Sequence, residues 1–323
     1  MSASGRAAST APNGRTLLVR VCVATFRRPA LLRKTLDSVA AQRFSRCAAP
    51  DLGVIIVDND AAQEGRAVVA AARASSPWPM DYLVEASPGI SHARNRLVAA
   101  AAGADYIAMI DDDEAADETW LDALLATALE KRADAVLGPV EPVFDVQPAE
   151  WMRPFFLRRR HATGTRVTAD DFRTGNVLLA TRALRGIDGP FDPAFALTGG
   201  EDSFLGRRLE AAGAAFYWSD EAVVREACPE ERTRVSWILR RRFRSAGTLT
   251  AIRLRMMGRG AAVPMVLYRT AGALALGSAQ IAGSVLGGRR RLLAGLANLA
   301  SGAGNLAGLA GFTRREYDRR GDA

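Results

Sequence analysis

Four acids in a row, Asp111-Asp112-Asp113-Glu114, follow the apolar segment Tyr106-Ile107-Ala108-Met109-Ile110. The apolar segment reads as a buried strand, and four adjacent carboxylates at its end repel one another. Burying such charges unpaired is costly, so a positive partner is expected. A hard divalent cation is one such partner, since Mg²⁺ is held by one or two carboxylates together with a substrate's phosphates. Strand carboxyl ends of open α/β sheets are also where ligands collect. The other reading is a solvated acidic turn that caps the helix beginning near Trp120.

Two further acidic sites follow strand-like segments: Asp58 after Gly53 to Val57, and the pair Glu201-Asp202 after Thr198-Gly199-Gly200. Each alone reads equally as a helix cap. Three strand-end sites together converge on one crevice if they share a sheet. If the chain stays extended past Ile110, Asp111 and Asp113 share one side and Asp112 faces solvent. Glu114 then reads as an acid in the first helical turn.

The elements that must position these acids alternate along the chain. Strands are predicted over Leu17 to Thr25, Gly53 to Val57, Tyr82 to Glu85, Tyr106 to Ile110, Ala135 to Val143, Asn176 to Ala180 and Phe216 to Trp218. Helical spacing occupies Pro29 to Ala41, Glu64 to Arg73, the segment carrying Arg94 and Leu97, Trp120 to Lys131, and Ser203 to Ala212. Such alternation predicts a mostly parallel sheet with helices on both faces. Trp151 to Phe156, followed by three arginines, reads as an exposed loop or lid.

The 323 residues are 49% hydrophobic and 24% charged, enough for one large or two modest cores. The net charge of +8 is almost all arginine, for Lys34 and Lys131 are the only lysines. No acid stands between Glu231 and Glu316, so the last third favours a polyanion or an anionic membrane surface. Cys22, Cys47 and Cys228 form neither a disulfide framework nor a metal spacing, which suits a reducing cytoplasm. With only His92 and His161, a histidine-built zinc site is not expected. Residues 1–16 read as a disordered tail rather than a signal peptide.

Five motifs, in order, resemble family 2 glycosyltransferases of the GT-A fold. They are Val23-Ala24-Thr25-Phe26-Arg27-Arg28-Pro29, Val57-Asp58-Asn59-Asp60, Pro88-Gly89-Ile90-Ser91-His92-Ala93-Arg94-Asn95, Asp111-Asp112-Asp113, and Thr198-Gly199-Gly200-Glu201-Asp202. The chain is similar to bacterial succinoglycan-type exopolysaccharide transferases, which extend lipid-linked oligosaccharides. The resemblance implies an α/β, Rossmann-like GT-A domain over 17–247, followed by a basic and apolar helical extension over 248–323. It implies an inverting hexosyltransferase using a nucleotide-diphosphate sugar, with UDP as the expected carrier, and a lipid-linked or polysaccharide acceptor.

Laid onto the residues, the resemblance gives nucleotide-sugar contacts to Thr25, Arg28, Asp58, Arg94, Asn95 and Asp111. Asp113, with Asp111, holds Mg²⁺ or Mn²⁺. Asp202 is the general base, with Glu201 as its alternate or as an orienter of the acceptor. Plainer readings stay open for several: a surface charge for Arg28, a helix cap for Asp58 and for Glu201-Asp202, a solvated helix face for Asn95. The Gln-x-x-Arg-Trp motif of processive members is absent, which predicts single sugar addition. In its place stand Arg242 and Arg244, candidates for diphosphate or acceptor contact.

Thr270 to Gly288 and Leu292 to Thr313 are uncharged. They read either as helices lying on an anionic leaflet or as two helices packed through small residues. An enzyme at the inner face of the plasma membrane suits either. Two other classes are weighed: a nucleic-acid-binding protein, for which the basic stretch lacks stacking platforms, and a sugar-nucleotide nucleotidyltransferase, for which no lysine-bearing glycine loop follows the first strand.

Overall fold

The computed structural model describes residues 15–312, so the expected tail lies outside it except for its last two residues. The chain divides into two compact units. The first takes in the chain to Pro142, Arg158–Ala196 and Glu201–Glu226; the second takes in Val143–Leu157, Leu197–Gly200 and the chain from Ala227.

In the first unit, β1 (Leu18–Thr25) lies inside the sheet, with Val19, Val21 and Val23 buried on one face and Cys22 on the other. It pairs in parallel with β2 (Asp51–Asp58), bringing Thr25 opposite Asp58. β3 (Met80–Val84) continues beyond β2, and β4 (Tyr106–Ile110) pairs in parallel with β1 on its other side. β5 (Glu114–Ala116) stands outside this sheet. The expected strand over Ala135 to Val143 is two strands, β6 (Ala135–Leu137) and β7 (Val140–Phe144). Pro139 between them has no N–H to give a ladder. β8 (Arg166–Val167), β9 (Asn176–Ala180) and β10 (Phe216–Trp218) complete an eight-stranded sheet ordered β3-β2-β1-β4-β9-β6-β10-β8. β9 runs antiparallel to both β4 and β6. β11 (Val224–Cys228) pairs with β5, Val224 opposite Ala116.

Because alternate residues face opposite sides of a strand, the sheet builds two cores. Val19, Val21 and Val23 pack with Leu32 and Leu36 of α1 (Pro29–Ala40), Val69 of α2 (Arg66–Ser75) and Trp120 and Leu124 of α4 (Trp120–Lys131). Cys22, Ile55 and Val57 pack with Ala93 and Leu97 of α3 (Ile90–Ala100) and Leu205 and Leu209 of α5 (Glu201–Ala211). Fully burying one such leucine or valine stabilises the fold by ~1.5–3 kcal/mol.

In the second unit, α6 (Val235–Ala282) is kinked at Gly258 and α7 (Ser284–Leu309) at Gly288, both with positive φ. The two fold back on each other through glycines. A Cβ on Gly295 would lie 2.7 Å from the Gly277 carbonyl oxygen, and one on Gly308 2.7 Å from that of Gly247. α6 runs unbroken through Gly247. Trp151 to Phe156 is no open loop: Glu150–Phe155 is a 3₁₀ helix, and Met152 and Phe156 are buried with Ile238 and Leu293.

Candidate active site

β1 ends at Thr25, and the chain turns through Phe26-Arg27-Arg28 before Pro29, whose fixed φ suits a helix start, opens α1. Arg27 adopts a left-handed φ of 53° and pairs with buried Asp60, Nε to Oδ2 3.3 Å. The next link is Asp112, which is buried rather than facing solvent. Its Oδ2 accepts from Thr25 Oγ1 at 2.7 Å, and Arg28 Nη1 stands 3.4 Å from its Oδ1. Strand geometry stops at Ile110: the Glu114 N–H donates to the Asp111 carbonyl at 3.2 Å, closing a turn that ends the alternation. Burial pushes the Asp112 carboxyl up to about 6, against the opposing pull of Arg28 and Thr25.

Asp113 reaches Arg28 Nη1 at 3.2 Å, and the Asp111 side chain is 41% exposed. Glu114 belongs to β5 and not to a helix. It is buried, its Oε2 accepting the Asp111 N–H at 3.0 Å. Burial first, then the charge of Asp111, holds it well above the ordinary carboxyl range. Gly175 makes room for this pair: a Cβ there would fall 2.6 Å from Glu114 Oε1 and 3.1 Å from Asp111 Oδ2.

Arg94 of α3 is buried and joins two of the acidic sites. Its Nη2 donates to Asp111 Oδ1 at 2.8 Å, and its Nη1 donates to Glu201 Oε1. Glu201, the first residue of α5, is also buried, and among the described residues its Oε2 has no hydrogen-bond partner. Burial raises its carboxyl to about 7, with Arg94 working the other way. Asp202 is half-buried, and its Oδ1 accepts the Ser203 N–H at 2.5 Å.

Asp58 and Asn95 are both engaged within the fold. Asp58 has no exposed surface and accepts from the Asp60 N–H (2.9 Å), the Gly65 N–H (3.0 Å) and Tyr82 Oη (2.7 Å). It organises the loop after β2. Asn95 spends its amide on Phe191, donating to the carbonyl at 2.7 Å and accepting from the N–H at 2.9 Å. Asn59 pins the Pro88-Gly89 turn, its Oδ1 accepting the Gly89 N–H at 2.8 Å. Arg242 and Arg244 lie on α6 in the second unit, the first exposed and the second half-buried. Sequence reasoning misses Arg27, Gly175 and Thr35, whose hydroxyl reaches the Glu114 carbonyl at 2.6 Å; only Arg27, next to Arg28, carried a local signal.

Among the described residues, no three His, Cys, Asp or Glu side chains group to hold a metal alone. The donor set still fits Mg²⁺ or Mn²⁺: oxygen ligands only, on Asp113 and the half-exposed Asp111, with a substrate's phosphates and water completing the shell.

An open sheet with acids gathered at its strand ends is suited to bind a ligand there, and the sequence assigns the family. Residues 20–187 match Glycosyl transferase family 2, and the chain belongs to that family. It is a glycosyltransferase. It is 37% identical over 236 residues to the succinoglycan biosynthesis protein ExoM of Rhizobium meliloti, covering 72% of this chain and 74% of that one. Among solved structures it resembles the Pyrobaculum calidifontis mannosyltransferase PcManGT in complex with GDP-Man and Mn²⁺, at 19% identity and a TM-score of 0.58, over 93% of this chain and 89% of that one. It also resembles S. aureus TarS, at 15% identity and a TM-score of 0.52, over 89% of this chain but only 55% of that one. These two likenesses support the GT-A fold.

Proposed function

We propose that this glycosyltransferase moves a hexose from a nucleotide-diphosphate sugar to a saccharide hydroxyl, with inversion, during exopolysaccharide synthesis. The observation that carries the reading is the Arg94 bridge, which ties the Asp111 end of β4 to the Glu201 end of α5. The acceptor oxygen attacks the anomeric carbon as its proton passes to the Asp202 carboxylate. The bond from that carbon to the diphosphate oxygen breaks, and the electron pair leaves with the nucleoside diphosphate. Glu201 and Arg94 hold the two ends of the site at fixed spacing, and Arg28 faces the diphosphate. A divalent cation held by Asp113 and Asp111 would neutralise charge developing on the leaving group. Kinship to ExoM supports an exopolysaccharide setting, and the acceptor in this reading is lipid-linked.

The helical unit supports contact with an anionic cytoplasmic leaflet. Val285 and Leu286 are 88% and 94% exposed, just before Arg289, Arg290 and Arg291 in the chain. Ser284–Leu309 is long and apolar enough to cross a membrane by length and composition, with a mean hydropathy of 1.2.

The test is transfer from labelled UDP- and GDP-hexoses to membrane extracts, with the anomeric configuration of the product read by NMR. The expected result is one active donor, an inverted linkage, and a loss of about 10²–10⁴-fold in kcat for Asp202→Asn, as for removal of a general base. A retained configuration, or full activity in Asp202→Asn, contradicts the mechanism.

A further inference from the structure

A cavity of about 250 Å³ opens in the first unit between the loop after β6, the start of β9, the end of β10 and the segment 158–173. Its charges do not balance. Of the two acids that line it, Asp170 is paired with Arg207 at 2.6 Å and Asp171 with His161 at 3.3 Å. Arg158 is paired with Glu226 at 3.0 Å. Arg159 and Arg173 remain, and among the described residues neither has a carboxylate partner; Arg173 donates only to the Phe172 carbonyl. Both are exposed, and each presents a fork of donors matched to a carboxylate or phosphate. Trp218, whose indole N–H is spent on Asp220, gives the cavity an apolar wall suited to a sugar ring.

The cavity adjoins the reacting centre. Asn176 lines it and lies opposite Ile110 in the β4–β9 register, and the preceding Gly175 stands against Asp111 and Glu114. Thr25 and Arg28 stand at the other side of β4, at the end of β1. With the diphosphate on that side, the Arg159 side is left for the acceptor.

We infer that this cavity binds an anionic group, carboxylate or phosphate, carried by the acceptor saccharide, and so selects an acidic acceptor. The inference rests on the donor placement proposed above. The test is titration of the full-length protein with glucuronate, glucose 6-phosphate and glucose, for the wild type and the Arg159→Ala/Arg173→Ala double variant. The same samples are titrated with UDP and GDP in the presence of Mn²⁺. The expected result is that at least one anionic probe binds roughly tenfold or more tightly than glucose, that the double variant loses this preference, and that nucleotide does not displace the probe. Preference for glucuronate points to an acidic sugar, and preference for glucose 6-phosphate to a phosphorylated one. Equal binding of charged and neutral probes, a preference that survives in the double variant, or displacement by nucleotide overturns the inference. Nucleotide binding without anion preference sinks this inference alone. Anion preference without nucleotide binding sinks the donor-site reading and leaves the anion site standing.

Discussion

Arg94 is buried, and its two terminal nitrogens meet carboxylates from different elements. Around it, burial holds three carboxyls high: Asp112 at about 6, Glu201 at about 7, and Glu114 well above its ordinary value. Between the ordinary carboxyl range near pH 4 and about pH 7, the folded state binds more protons than the unfolded chain. These groups therefore stabilise least once ionised, and stability falls as pH rises through that window. The melting temperature of the metal-free protein is expected to drop from pH 5 to pH 7.5, and Glu114→Gln is expected to flatten the drop. A melting temperature that rises steadily over that interval contradicts the assignment. At this scale the acidic run is legible in the sequence, since four acids after a buried strand have no place in a core. Which acid points where is not legible, because one turn after Ile110 reverses the burial expected for Asp112. Nor are the partners of Asp58 and Asn95, since Tyr82, Gly65 and Phe191 arrive from elsewhere in the chain.

The long periodic elements follow from the sequence because their burial repeats: α1 buries Leu32, Leu36 and Val39, and β2 is buried from Leu52 onward. β5 and β8 are too short to carry a period, and β11 is fixed by pairing with a distant partner. In the helical unit, glycines bring two backbones into contact, so the uncharged stretches that suggest a membrane surface also build a helix pair. The exposed arginines then decide the membrane question. Arg289→Ala/Arg290→Ala/Arg291→Ala is expected to leave the melting temperature unchanged and to weaken co-sedimentation with phosphatidylglycerol vesicles by about 1 kcal/mol per arginine, roughly a hundredfold in all. Wild-type binding that is indifferent to salt and to these substitutions contradicts contact with an anionic leaflet.

Across the whole molecule, charge is partitioned by unit. The strand-end acids belong to the first unit, and the acid-free, arginine-rich stretch from Arg232 belongs to the second. A net charge of +8 alone suggests a nucleic-acid partner, but its confinement to one helical unit removes it from the sheet where the acids meet. The central claim is that those acids form a metal-assisted nucleotide-sugar site. Isothermal titration of UDP and GDP into the protein, with and without Mn²⁺, for the wild type and Asp113→Ala, tests it most directly. One nucleotide is expected to bind, Mn²⁺ to tighten it, and Asp113→Ala to remove the metal's effect while the fold persists. Binding of either nucleotide that is indifferent to both Mn²⁺ and Asp113, or of neither, contradicts the claim.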